Sequence, residues 1–281
     1  MSLESAQSLL QGNVELPTLP QVVAKINALV DDPDVGVREI GAAVGEDAPI
    51  AAKVLKIANS AYFGLREKVV STEHATAVLG VRMLRTVAMQ ASVIKQYEHL
   101  RGQEHFSFDG LWRHSILTGQ VCAALAGRCR ARIRLAPEEF QVVGLLHDMG
   151  KILLLEGKPK EYFAALQEAR ATSQPEFAVE VRTFGFHHGH VGALIARQWG
   201  LPALVSDAIE YHHGPREALA SNGTVALVAL VNLALHEVEA GRTNEAVSIF
   251  DASACKLLGL AADDVAGVLQ QAEIWRQQIQ I

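Results

Sequence analysis

The sequence predicts an all-α protein. Three observations carry this expectation. Apolar residues recur with the 3.6-residue period of a helix, no stretch sustains the alternation of a strand, and Pro- and Gly-bearing turns cut the chain into short lengths. Of 281 residues, 49% are hydrophobic and 20% charged, which suits a packed globular protein rather than a disordered one. A chain of this length supports one large core or two smaller lobes.

The first predicted helix follows the breaker Leu16-Pro17-Thr18-Leu19-Pro20 and aligns Leu19, Val22, Val23, Ile26, Leu29 and Val30 on one face. A second carries Val37, Ile40 and Val44 after the turn Asp31-Asp32-Pro33-Asp34. A third opens at Pro49, a residue suited to the first helical turn, and runs through Ile50, Val54, Ile57 and Ala61 into Asn59-Ser60-Ala61-Tyr62-Phe63-Gly64. Short helices are expected around 75–79 and 83–94. Beyond the polar stretch 97–109, helices are expected at about 110–130, 137–149, 160–171, 175–184, 188–199, 202–213, 224–239, 251–259 and 263–279, with Asp251 as an N-cap. We divide the chain into an N-terminal helical lobe (1–105), a helical core bearing a His/Asp cluster (106–240) and C-terminal helices packing on it (241–281).

Composition excludes some functions. A net charge of -6 and a pI near 6.0 argue against a surface built to hold nucleic-acid phosphates. Val37–Ser60 has the spacing of a helix-turn-helix, but Gly45-Glu46-Asp47 is acidic and the second helix offers only Lys53 and Lys56, so DNA is not the expected partner. The uncharged run Ala218–His236 is interrupted by Ser221-Asn222-Gly223; Thr224–Leu235 falls short of the roughly 20 apolar residues of a membrane span and reads as the most buried helix. Cys122, Cys129 and Cys255 form no CxxC pair and read as small core residues in a reducing compartment. The N-terminus lacks the basic start and apolar stretch of a signal peptide, so a cytoplasmic location without membrane association is expected.

The 11 histidines are placed informatively. His114 shares a helical face with Leu111, Thr118, Val121 and Leu125. His147 follows Phe140, Val143 and Gly144 on an inward face, and His212 follows Val205, Ala208 and Ile209 likewise. One buried histidine is ordinarily a hydrogen-bonded core residue. Several beside a carboxylate point to a shared divalent ion, because each buried imidazole left unpaired costs about 1–3 kcal/mol.

The segment Leu145-Leu146-His147-Asp148-Met149-Gly150-Lys151 is the sharpest feature. Adjacent helical positions point about 100° apart, so His147 and Asp148 could grip an ion from two sides. Gly150 is expected to end the helix and leave Lys151 at the rim, where its ammonium could meet a phosphate. A P-loop is excluded: the glycines of Gly144–Lys151 are one residue too far apart, and Ile152 stands where Ser or Thr is required. Phe186-His187-His188-Gly189-His190-Val191-Gly192 stands at a helix start and Tyr211-His212-His213-Gly214-Pro215 at a helix end. For His187 and His190 we prefer an ordinary helix-end role.

This order of His, His-Asp, His and His-His resembles the HD superfamily of metal-dependent phosphohydrolases, and HDxGK followed by HH is similar to its cyclic-dinucleotide phosphodiesterase branch. The N-terminal half sharpens the resemblance to the HDOD domain. Leu16-Pro-Thr-Leu-Pro20, Asp47, Lys53-Val-Leu-Lys-Ile-Ala-Asn-Ser-Ala-Tyr-Phe-Gly64, Ala77-Val-Leu-Gly80, Trp112-Arg-His114, Gly144-Leu-Leu-His-Asp-Met-Gly-Lys151, Trp199-Gly-Leu-Pro202 and His212-His213 carry it, over roughly residues 14–240. The resemblance implies a multi-helix bundle of the HD-domain type with an N-terminal helical lobe, serving bacterial signal transduction and regulation. It implies His114, His147, Asp148, His188, His212 and His213 as metal ligands, with iron, manganese or a similar divalent ion as cofactor.

Three departures weaken hydrolysis. The superfamily closes its site with an Asp on the helix after the paired His, where this chain has Asn232 and His236. His190 stands where an acidic residue is usual, and Ala48 where Asp is usually followed by Pro. Losing the closing carboxylate removes charge that would hold the ion and help activate water. The first reading is therefore a regulatory module, catalytically inactive, that binds a signalling protein or a small nucleotide-like ligand. The alternative is a divalent-metal phosphohydrolase acting on a nucleotide or cyclic dinucleotide, with Lys151 contacting the phosphate.

Overall fold

Helical periodicity and local capping chemistry account for the regular elements of the computed structural model. It describes residue 6 and residues 17–30, 32, 34–60, 62–103, 105–130, 133–214 and 216–279, with the side chains of 216, 217 and 220 left aside. Leu16, Asp31, Pro33, Ala61 and Pro215, used in the sequence reading, lie outside the described residues. Among the described residues every regular element is helical, and no helix is long and apolar enough to cross a membrane. The fold is all-α, as predicted.

Packing groups the chain into two units. The N-terminal unit comprises residues 19–101 and 274–281. Its helices are α1 (Gln21–Val30), α2 (Val37–Gly45), α3 (Ala48–Ala58), α4 (Thr72–Leu79) and α5 (Val81–Gln96). Asp47 caps α3 by accepting from the Ile50 N–H at 3.1 Å, so the helix opens one residue before Pro49. Ser71 caps α4 through the His74 N–H. Ile26, Ile40, Val44, Ile50, Val54, Leu84 and Val87 form the core. Asn59 fixes the loop after α3: its amide donates to Leu55 O and Val69 O, and its Oδ1 accepts from the Val69 N–H, each at 2.8 Å.

The histidine unit comprises residues 102–273 with the described residues before 19. It contains α6 (Phe108–Ala126), α7 (Pro137–His147), α8 (Met149–Gly157), α9 (Pro159–Thr172), α10 (Glu176–Phe184), α11 (His188–Gln198), α12 (Ala203–Glu210), α13 (Arg216–Ser221), α14 (Gly223–Glu239), α15 (Thr243–Ile249) and α16 (Ala252–Leu258). It also holds most of α17 (Ala262–Gln278). Asp251 caps α16 through the Ala254 N–H at 2.8 Å. The Trp199 indole donates to Pro17 O at 2.6 Å, joining two of the sequence motifs.

Close helix contacts bring the histidines together. A Cβ on Gly144 of α7 would stand 2.6 Å from both Gly119 Cα and Ser115 O of α6, so these helices approach nearly backbone to backbone. A Cβ on Gly150 of α8 would overlap the His188 carbonyl at the start of α11. Small residues at these positions let four helices converge on one polar centre.

Two local departures shape that centre. The helix expected through residue 149 breaks at Asp148 (φ -100, ψ -1) and resumes as α8 at Met149. Gly150 does not end a helix but lies in the first turn of α8. The helix expected through 213 ends at Glu210, and His212 and His213 sit in the following turn.

Candidate metal centre

Burial dictates what the imidazoles must do. His114, His147, Asp148, His188 and His212 are all buried, and His213 is partly buried. Each ring nitrogen there needs a partner. His147 Nδ1–H donates to Gly144 O at 2.8 Å, and His212 Nδ1–H donates to Ile209 O at 2.6 Å. His188 donates from both its backbone N–H and its Nδ1 to Glu180 Oε2, at 2.8 and 2.7 Å. These bonds fix the rings and leave Nε2 of each as the inward atom, the usual arrangement behind a metal-bound histidine.

The inward atoms converge. His188 Nε2 lies 3.0 Å from Asp148 Oδ1, 3.3 Å from His212 Nε2 and 3.0 Å from His213 Nε2. His212 Nε2 stands 3.9 Å from Asp148 Oδ1 and His147 Nε2 stands 3.6 Å from it. The His147 Nε2 is buried without a hydrogen bond. Donor atoms around an ion with bonds of about 2.1 Å stand roughly 3.0–3.4 Å apart, and Asp148, His188, His212 and His213 approach that spacing.

Titration follows the same geometry. Burial pushes His147 down to about 4 and holds His212 and His213 well below the usual imidazole range, so these three keep a lone pair. For His188 burial works against protonation, but Glu180 and Asp148 outweigh it and push the value up to about 9. The site calls for positive charge at His188 Nε2. One proton there satisfies one of three facing acceptors; a divalent cation satisfies all four donor atoms. The residues fit such an ion.

His114 is placed differently. Its Nε2 donates to Asn232 Oδ1 at 2.8 Å, and its Nδ1 faces Glu239 Oε1 at 3.0 Å. Donor atoms of His114, His147 and Asp148 lie within 4.8 Å of one another, and the His114 ring is 5.3 Å from that of His147, while both of its nitrogens are engaged with α14. Lys151 also differs from its expected place at the rim. It is drawn inward into ion pairs with Asp148 Oδ2 at 3.0 Å and Glu176 Oε2 at 3.1 Å. Burial opposes its charge, yet Asp148 and Glu176 hold it firmly protonated.

His187 and His190 act as helix-end groups. His187 Nδ1 accepts from the Gly189 N–H at 3.1 Å, and His190 Nδ1 accepts from the His187 N–H at 3.2 Å, a reciprocal cap at the start of α11. Sequence reasoning missed Glu176, Glu180 and Glu239. The first two are one turn apart on α10, flanking Val179 on the buried side, and an acidic pair beside an inward apolar residue was the available signal. Glu239 carried no local signal.

With this geometry established, comparison with known proteins is informative. Residues 16–215 match the HDOD domain. The chain belongs to the HDOD domain family. An HDOD domain protein of unknown function from Geobacter sulfurreducens has the same fold, with a TM-score of 0.78, 24% identity, and 98% of this chain and 96% of that one covered. A protein called "Putative phosphohydrolase" from Shewanella amazonensis SB2B gives a TM-score of 0.74 at 24% identity, covering 97% of this HDOD chain and 98% of that one. At such identity the likeness is one of fold. An uncharacterized protein of Treponema pallidum (strain Nichols) is 25% identical over 226 residues, which are 79% of this chain and 42% of that protein. The HDOD chain therefore spans less than half the length of that curated relative.

Proposed function

We propose that this chain is a regulatory HDOD module whose His/Asp cluster holds a divalent cation, such as iron or manganese, as a structural centre, and that it acts by binding a signalling protein or small nucleotide-like ligand rather than by hydrolysis. Asp148, His188, His212 and His213 would hold the ion, with the buried His147 Nε2 beside them. When bound, such a cation supplies Lewis acidity and lowers the pKa of a coordinated water.

The observation that carries the non-hydrolytic part is Asn232. On the helix where hydrolases of this superfamily close their site with a carboxylate, the amide oxygen of Asn232 is occupied by His114 Nε2 at 2.8 Å. It brings no negative charge and aims at no inward Nε2 of the cluster. Lys151 is already paired with Asp148 and Glu176, which would compete with a phosphate for its ammonium. The chain's own groups thus orient and enclose the cluster. The N-terminal unit has an open surface groove of about 780 Å³, lined by Leu55, Lys56, Ser60, Lys68, Val69 and Val70, where such a partner could be sought.

The test is turnover against a panel of nucleotides and cyclic dinucleotides with added Mn²⁺ or Fe²⁺. We expect bound metal and no turnover above that of the Asp148→Ala variant. Turnover by the wild type that Asp148→Ala abolishes would establish the phosphohydrolase instead.

A further inference from the structure

We propose that α10 is the cover of the His/Asp cluster, with Phe177 as the stopper over the imidazole of His213, and that a cation or an external ligand passes between solvent and the cluster on this side. The inference rests on the reading of the cluster as a divalent-cation centre, to which it adds a route of entry and the residue that closes it.

Burial locates the open edge. Asp148, His188 and His212 are at most 3% exposed, whereas His213 is only partly buried and is followed by Gly214 in the turn after α12. Of the four groups that would hold the ion, His213 is therefore the one that solvent reaches. Its Nε2 stands 3.0 Å from that of His188, so access to this ring is access to the cluster. The ring is covered by an apolar neighbour. Phe177, in the first turn of α10, stacks on His213 with ring centroids 4.3 Å apart and planes at 16°. The same phenyl ring meets His187 edge-on at 6.1 Å and 75°, so it lies against two imidazoles at once.

This placement is not a by-product of how α10 packs on its neighbour. Val179, the buried apolar residue of α10, forms a small hydrophobic cluster with Ala165 and Ala169 of α9. Positions two apart on a helix point about 200° from one another, so Phe177 is turned away from that cluster and toward the histidines. A phenyl ring there excludes water from the imidazole behind it and forms no hydrogen bond that must break when it moves. Ring pairs of this kind are strong enough to favour the closed state and weak enough to open.

The rest of α10 aligns the cover. Glu180 Oε2 accepts from the backbone N–H and Nδ1 of His188, and one turn earlier Glu176 Oε2 pairs with Lys151 at 3.1 Å. One nine-residue helix thus reaches the cluster through three side chains. The hold loosens toward its start: the Glu180 side chain is 1% exposed and that of Glu176 39%, and no side chain caps the helix at Pro175. Motion of the first turn, or of the phenyl ring alone, uncovers His213 while Glu180 keeps His188 in place.

The test measures access with and without metal. In the metal-free chain, diethyl pyrocarbonate labels accessible imidazoles and mass spectrometry locates the label. We expect His213 to be labelled slowly in the wild type and roughly tenfold faster in Phe177→Ala, the scale of one lost ring pair. In the Co²⁺-loaded chain, release to excess chelator should accelerate by a similar factor while the loaded metal content stays unchanged. Phe177→Leu should give a smaller acceleration in both, and it carries the test if the alanine variant does not fold by circular dichroism. Phe184→Ala, at the far end of α10, controls for general loosening and should change neither rate. Cobalt bound by the wild type but released at the same rate by the Phe177 variants, unchanged labelling of His213, or equal acceleration by Phe184→Ala would overturn the cover and leave the cation reading standing. A wild type that binds no cobalt would overturn the cation reading itself and the route with it.

Discussion

Asp148 is the residue on which the cluster turns. Its two oxygens divide their work: Oδ1 faces His188, His212 and His147, and Oδ2 pairs with Lys151. Removing its charge leaves the buried Lys151 with Glu176 alone and leaves His188 facing a neutral, weaker acceptor. Breaking a buried pair from one side costs about 3–5 kcal/mol. Asp148→Asn should lower unfolding free energy by about that much in urea titration, and adding Lys151→Met should recover part of the loss. A loss below about 1 kcal/mol would show that the pair is solvated or makes no net contribution. His114 and His147 were legible in the sequence because inward helical faces identify them without tertiary information, whereas His188 and His213 followed only from the family resemblance and His212 sits in a turn beyond its expected helix. Glu180, which orients His188, was not legible, because only folding brings α10 against the start of α11.

At the scale of elements, the close approach of α6 and α7 positions the cluster. A methyl group at Gly144 would press on Gly119 and Ser115, and His147 follows less than one turn later. Gly144→Ala should destabilise the chain by about 1–3 kcal/mol through overpacking and weaken metal retention, both measurable on the same preparation. Unchanged stability would mean that the two helices separate freely. In the N-terminal unit, the cap of α3 gives a pH test. The Ile50 N–H, and then Lys95 at 3.1 Å, hold the Asp47 carboxyl below its ordinary 3.8 although burial opposes them. A lowered folded value contributes stability that is present above 3.8 and is lost as pH falls through the folded value. Asp47→Ala should therefore cost about 1 kcal/mol at pH 7, with the difference from wild type shrinking below pH 3.8. An equal difference at both pH values would assign the effect to helix propensity instead. The start of the helix was legible, one residue late, from Pro49, whereas the capping role of Asp47 emerges only in the fold. The break at Asp148 was not legible, since the local stop signal was Gly150, which instead lies in the first turn of the next helix.

For the whole molecule, periodicity revealed the helical class and the HDOD motifs revealed the family, because both are written in local sequence. The fate of Lys151 and His114 was not written there. Each is decided by acids on other helices, Glu176 on α10 and Glu239 on α14, whose approach depends on the whole packing of the unit. The account rests on one claim: Asp148, His188, His212 and His213 enclose a divalent ion. Anomalous diffraction from crystals grown with Mn²⁺ or Fe²⁺ tests it most directly. The account predicts a peak about 2.0–2.3 Å from Asp148 Oδ1 and from the Nε2 atoms of His188, His212 and His213. Density at those positions explained by the side chains alone, with His188 Nε2 hydrogen-bonded to Asp148 and no anomalous signal, would contradict it.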